Sequence, residues 1–232
     1  MTGEHPTRMS EAFWGRRRGK ALKPAQAQAL ARAEQQYFLD LAQPAPLELA
    51  ALFDHQPTAL HLEIGFGGGE HLLAHAVRRK DAGFIGVEPF VNSMAKMAAA
   101  MEEVRAENIR LFGDDATLLL DWLPDASLDG IDLLYPDPWP KTRHWKRRFI
   151  NDKNLDRFAR VLKPGALLRF ASDIDTYINW TLQHVLVRND FAWRVIDAGS
   201  WRVPYPHWVR TRYEAKAIRD GRTPCYLTFE RL

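Results

Sequence analysis

Leu60-His61-Leu62-Glu63-Ile64-Gly65-Phe66-Gly67-Gly68-Gly69 is a short apolar run followed by four glycines in five positions. The run reads as a strand, the glycines as a tight turn, and the amphipathic stretch 69–79 as the helix that follows. Working outward, further apolar runs lie at Gly83–Glu88, Asn108–Phe112, Gly130–Tyr135 and Ala166–Ser172. Between them the spacing predicts helices at 92–105, 151–162 and 174–188. Lys163-Pro164-Gly165 reads as a stop-and-turn signal before the fifth run. Ahead of the first strand, Pro24–Leu41 is helical in pattern, begun by Pro24 and ended by Pro44 and Pro46. Strands alternating with helices predict an α/β fold, a parallel sheet covered on both faces. Runs at 191–196 and 225–230, flanking a helical pattern at 211–220, are expected to add as antiparallel edge strands.

The length of 232 residues suits one domain with attachments. With 46% hydrophobic and 26% charged residues, the chain is not intrinsically disordered. No window holds the ~18 consecutive apolar residues of a membrane span, and the N-terminus lacks the apolar core of a secretory signal. A cytoplasmic location is expected. The single cysteine, Cys225, excludes an intrachain disulfide and a cysteine-rich zinc site. Net charge is only +3, but it is unevenly spread. Residues 1–23 hold six basic groups against two acids and are poor in aliphatic residues, so a basic, flexible arm is expected before a single domain at 24–232. A second cluster, Lys141, Arg143, His144, Lys146, Arg147 and Arg148, surrounds Trp145. Cations beside aromatics are the footprint of a polyanion partner; the N-terminal run alone reads equally well as a solvated surface.

The glycine turn does not fit a dinucleotide fingerprint, because Glu70 stands where the third glycine belongs, and no Lys-Ser/Thr pair follows to make a Walker loop. What remains is Glu63-x-Gly65-x-Gly67, an acid before the turn. That suits a cationic ligand such as S-adenosylmethionine, which carries an ammonium and a sulfonium and no phosphate. Glu88 ends the second strand, where a carboxylate can accept two ribose hydroxyls. Asp114-Asp115-Ala116 follows the third, within reach of an adenine amine. Each acid alone reads as a helix cap or turn residue. Acids at three successive strand ends mark the edge where open parallel sheets bind ligands.

Tyr135-Pro136-Asp137-Pro138-Trp139-Pro140-Lys141-Thr142-Arg143-His144-Trp145-Lys146-Arg147-Arg148 is the most informative segment. Three prolines in five positions give a stiff turn with few backbone donors. It holds Asp137 at the fourth strand's end, and the cationic run follows at once. This segment resembles the signature of the bacterial tRNA (guanine-N7)-methyltransferase family. The similarity extends to Glu63-Ile64-Gly65, Gly86-Val87-Glu88, Thr211-Arg212-Tyr213-Glu214-Ala215-Lys216 and the Arg-rich arm. Trp145, where a small or polar residue is frequent, and Ala166, where a second Gly is frequent, are departures.

The resemblance implies a Rossmann-like class I methyltransferase fold, with a mostly parallel seven-stranded sheet and an antiparallel C-terminal edge strand. It implies S-adenosylmethionine as cofactor, held by Glu63, Gly65, Gly67, Glu88, Asp115 and Asp137, with Asp137 also catalytic. Lys141, Asp173, Thr211, Arg212, Tyr213 and Glu214 correspond to groups that receive the substrate nucleotide. Arg143, His144, Lys146, Arg147 and Arg148 correspond to the RNA-contacting segment. The implied substrate is guanine 46 in the variable loop of tRNA, and the chain is expected to act as a monomer or weak homodimer without metal or membrane.

The chemistry fits. Guanine N7 has an in-plane lone pair and no proton to lose, so no general base or cysteine nucleophile is needed. Carboxylates near the ring, Asp137 or Asp173, suit its developing charge. A splayed base would stack on an aromatic ring, with Tyr213, Trp139 and Trp208 as candidates, whereas Trp122, Trp180 and Trp193 read as packing. His71 and His75, spaced i, i+4, lack the companions of a zinc site. Two other classes compete with an enzyme of this kind: an RNA-binding module without catalysis, which would not need the acids, and a nicotinamide enzyme, disfavoured by Glu70.

Overall fold

The computed structural model describes residues 14–232. The first 13 positions of the expected arm lie outside the described residues. Seven strands form one sheet: β1 Leu60–Ile64, β2 Gly83–Val87, β3 Ile109–Phe112, β4 Leu128–Leu134, β5 Leu162–Ser172, β6 Phe191–Trp193 and β7 Cys225–Arg231. Their order is β3-β2-β1-β4-β5-β7-β6. The first five strands are parallel, and β7 runs antiparallel between β5 and β6. The expected antiparallel C-terminal strand is therefore one place in from the edge, and the three-residue β6 closes that side.

Seven helices cover the sheet: α1 Pro24–Gln36, α2 Glu70–Arg78, α3 Val91–Val104, α4 Ala116–Trp122, α5 Asp152–Val161, α6 Asp175–Val185 and α7 Arg212–Arg219. Strand side chains alternate between faces. Leu62, Ile64, Ile131 and Leu133 pack with Leu119 of α4, Phe158 of α5 and Tyr177 of α6. Phe84, Ile109 and Leu111 pack instead with Leu72 of α2 and Met94, Met97 and Met101 of α3. Among the described residues no helix is long and apolar enough to cross a membrane.

Three local readings change. The first helix stops at Gln36 instead of Leu41, because the chain turns to lie beside β3: Leu39 N–H donates to the Leu111 carbonyl and Leu111 N–H to that of Tyr37. Lys163-Pro164-Gly165 lies inside β5 as an irregularity opposite Leu128–Gly130, with Gly165 at φ +82°. The sequence reading had no helix at 116–122. β1 runs on to β2 and β3 in one direction and β4 to β5 in the other, so strand order reverses between β1 and β4. A crevice opens there at the carboxyl ends of the strands, where open α/β sheets bind ligands.

Candidate active site

A cavity of about 360 Å³ occupies that crevice, a size usual for small-molecule sites. Gly65 forms part of its floor at φ +72°. Gly67, at φ +54°, lies so near the Tyr213 ring that a Cβ there would come within 2.9 Å of it. The glycines thus let the loop turn beneath α7.

Glu88 lines the cavity, and two backbone donors fix its carboxylate: Gly67 N–H to Oε2 at 2.8 Å and Phe90 N–H to Oε1 at 2.9 Å. A carboxylate has about four acceptor positions, so two remain for a vicinal diol. Burial raises the Glu88 pKa despite these donors. Asp115 also lines the cavity while capping α4, its Oδ1 accepting from the Thr117 N–H and hydroxyl, both at 2.9 Å. The cap and ligand readings of Asp115 therefore coexist.

Asp137 hangs from a turn with two non-glycine residues in left-handed backbone conformation, Tyr135 at φ +51° and Trp139 at φ +44°. Such strain persists only where the surroundings enforce it. The Asp137 side chain lines the cavity, is open to solvent, and accepts no hydrogen bond from the described residues. Desolvation lifts its carboxyl above the usual range. It is a carboxylate held in place and left uncommitted.

Several expected site residues lie elsewhere. Glu63 is 4% exposed and does not reach the cavity. Its Oε2 sits 2.7 Å from His71 Nδ1, while His71 Nε2 is 2.9 Å from the Tyr205 hydroxyl, which donates to Asp132 Oδ1 at 3.1 Å. Tyr205 has one proton and gives it to Asp132. Burial pulls the His71 pKa down, but Glu63's charge and hydrogen bond more than offset it, so the net shift is upward. Asp173 is outside the cavity and pairs with Arg222. Thr211 caps α7, its hydroxyl accepting from Glu214 N–H at 3.2 Å. Glu214 is buried and receives hydrogen bonds from Trp208 Nε1 and the Tyr226 hydroxyl, both at 2.6 Å. Trp208 is thereby tied into packing and is not free to stack on a base. Arg212 and Tyr213 do line the cavity, with Arg212 Nη2 donating to the Tyr213 hydroxyl at 3.0 Å.

The cationic run divides sharply. Lys141, Arg143 and Lys146 are exposed around a 3₁₀ turn, Thr142–Arg147, and His144 stands edge-on to Trp139. Arg147 borders the cavity, its guanidinium between the rings of Trp14 and Trp139 at 4.6 and 4.9 Å. Arg148, expected to touch RNA, is 1% exposed. It donates to the Pro138 carbonyl, the Thr176 carbonyl and the Thr176 hydroxyl at 2.8–3.0 Å, packed among Trp145, Tyr177 and Trp180. It pins the Asp137 turn to α6 and has no reach to an RNA phosphate. Cys225 is buried at the start of β7, its thiol pushed up to about 12 by burial, unlike a nucleophile.

The reading of the arm as flexible also changes for residues 14–23. Arg17 pairs with Asp114 and its carbonyl accepts from Val91 N–H; Gly19 N–H donates to Asn92 Oδ1 at 2.7 Å, and Asn92 returns a bond to the Lys20 carbonyl. Trp14 and Arg16 consequently form part of the cavity wall. Sequence reasoning missed this. Nothing in Trp14-Gly15-Arg16-Arg17-Arg18 shows the segment folding back onto the sheet edge.

Residues 57–227 match a family model described as "Putative methyltransferase". A tRNA (guanine-N(7)-)-methyltransferase of Mesorhizobium japonicum is 60% identical over 98% of both chains. One of Rhizobium etli is 57% identical over 99% of this chain and all of the other. Among solved structures, the 16S rRNA methyltransferase KamB superposes with a TM-score of 0.57 at 15% identity, covering 82% of this chain and 95% of that one, which supports the fold alone. On the family model and the full-length identities together, the chain belongs to the tRNA (guanine-N7)-methyltransferase family.

Proposed function

We propose that the chain methylates N7 of guanine in tRNA, at position 46 of the variable loop, using S-adenosylmethionine in the cytoplasm. The observation that carries this reading is Asp137: an uncommitted carboxylate on a strained turn, beside a cavity whose mouth holds Arg147 and Arg212. The cavity's donor set fits the cofactor. Glu88 keeps two acceptor positions for ribose hydroxyls, Asp115 offers carboxylate oxygen toward an adenine amine, and Gly65 lets backbone approach. Bound there, the cofactor supplies an electrophilic methyl on a sulfonium.

The chain's own work is then mostly orientation, which can be worth ~7–11 kcal/mol. N7 attacks through its lone pair without surrendering a proton, so no residue need act as a base. Positive charge grows on the purine. Asp137 is placed to stabilise it, or to grip the N1–H and N2–H edge. Tyr213 and Trp139 offer ring faces to an extruded base, and Lys141, Arg143 and Lys146 present charge to the backbone. A non-catalytic RNA-binding module would leave Asp137 without a task.

The direct test is nucleoside mass spectrometry of tRNA after incubation with the protein and S-adenosylmethionine. 7-Methylguanosine is expected, lost when guanine 46 is replaced. Its absence with wild-type protein, or its persistence in the replaced tRNA, would overturn the activity or the position respectively.

A further inference from the structure

A second cavity, about 500 Å³, shares no lining residue with the first. It lies beside the carboxyl end of α2 and reaches the middle of β4 and β5. Arg78, Arg79, Arg169, His61 and His75 line it, and its one carboxylate, Asp132, is already engaged by the Tyr205 hydroxyl and, at 3.6 Å, by Arg169. Neither Arg78 nor Arg79 has a carboxylate within ion-pair distance among the described residues. Arg79 Nη1 lies 2.9 Å from His61 Nε2, which occupies one nitrogen of its fork, and helix capping consumes neither guanidinium. The Asn108 amide takes the carbonyls of Ala76, Arg79 and Ala82 at the end of α2.

Two residues of its lining each carry a buried side-chain nitrogen with no partner among the described residues: Nε of Arg169 and Nε2 of His75, the latter residue only 9% exposed. Buried polar atoms are nearly always hydrogen-bonded. The excess of guanidinium over carboxylate asks for an anion, and guanidinium forks match the oxygens of a phosphoryl group. We propose that this cavity is a binding site for a phosphate-type oxyanion, with Arg169 and His75 as inner donors and Arg78 and Arg79 at the entrance. The oxyanion is either free phosphate or a phosphodiester of bound RNA. This inference is independent of methyl transfer.

The test is equilibrium dialysis of the full chain with radiolabelled inorganic phosphate, ionic strength held with chloride. One saturable site per chain is expected. Arg78→Gln with Arg79→Gln should weaken it at least tenfold, whereas Arg143→Gln with Lys146→Gln, on the distant cationic run, should not. Arg79 is half-buried and touches His61, whereas Arg78 is exposed, so Arg78→Gln alone should keep the wild-type melting temperature and still weaken binding, and His75→Phe should weaken it in the same direction. Absence of a saturable site, or equal binding by wild type and the Arg78/Arg79 variant, would overturn the proposal. Adding tRNA assigns the source. If tRNA displaces the label, and the variant's tRNA affinity shows a log–log salt slope flatter by about 0.7–0.9, the site takes an RNA phosphate. If label and tRNA bind together and the slope is unchanged, it takes the free anion.

Discussion

Glu63 and Glu88 belong to neighbouring strands and differ in depth by two rungs. Glu63 lies opposite Gly86 in register, and Glu88 stands two residues farther on, about 6–7 Å along the strand direction. That step separates two environments built from the same residue types. At the strand ends, Glu88, Asp115 and Asp137 face a cavity, and Glu88 and Asp137 keep oxygens available. Beneath α2, Glu63, His71, Tyr205 and Asp132 face one another and form a closed chain of hydrogen bonds. A carboxylate near a glycine turn is thus a ligand group or a piece of the core according to how far up the strand it sits.

The largest expected effect lies at the open end. Asp137→Ala should lower tritium transfer to tRNA at least ~10²-fold, the scale for losing one preorganised group, with little change in melting temperature. An early-melting Asp137→Ala protein would make it a structural acid and erase the contrast with Glu63.

Reciprocal variants come next. Glu63→Ala leaves the buried His71 ring without its partner at Nδ1 and should cost about 3–5 kcal/mol of stability, measured by denaturant unfolding. Glu88→Ala should instead weaken S-adenosylhomocysteine binding by about 1–3 kcal/mol in calorimetry, with a smaller effect on unfolding. If the two exchanged phenotypes, depth along the strand would not be the determinant.

Arg147 and Arg148 repeat the contrast within one dipeptide. Arg148→Ala should destabilise by about 3 kcal/mol, because its bonds to the Pro138 and Thr176 oxygens are charge-assisted. Arg147→Ala should leave unfolding nearly unchanged and flatten the salt dependence of tRNA affinity by about 0.7–0.9. An unaltered slope would remove Arg147 from the RNA surface.

The finest distinction is between His71 and His75, one helical turn apart. Burial lowers His75, and likewise His61, to about 4. Their folded pKa lies below the unfolded value, so stability falls as pH drops from about 6.5 toward 4, by about 1–2 kcal/mol per ring at pH 5. His71 is raised, so its contribution is complete below about 6.5 and fades as pH rises through its folded pKa. Denaturant titrations should show a shallower acid limb for His75→Phe; an unchanged limb would mean His75 is not held neutral.

The parallel strands were legible because their apolar runs are short and punctuated by glycine or proline. Helix α4 was not: Ala116-Thr117-Leu118-Leu119-Leu120 is too short and uniformly apolar to show a period, and its strongest signal, the Asp115 cap, also suited a ligand. Glu88 and Asp137 could be placed because each follows a strand directly. Glu63 could not, since pairing with His71 depends on α2 crossing above it. Arg148 looked identical to its cationic neighbours; only the convergence of Trp145, Tyr177 and Trp180 withdraws it from the surface. The second cavity draws on residues from 61 to 207, and no local pattern unites them.

The position of β7 has a consequence for the order of assembly during synthesis. It pairs with β5 through six residues and with β6 through three, yet it is the last of the seven strands to be made. Until it emerges, β6 has no neighbour in the sheet and Glu214 lacks the Tyr226 hydroxyl that helps anchor α7. Arg212 and Tyr213, which wall the first cavity, are carried on that helix. A nascent chain therefore has its glycine turn and its acids long before it has a closed site. Competence arrives in one late step, when a strand threads between two others already waiting.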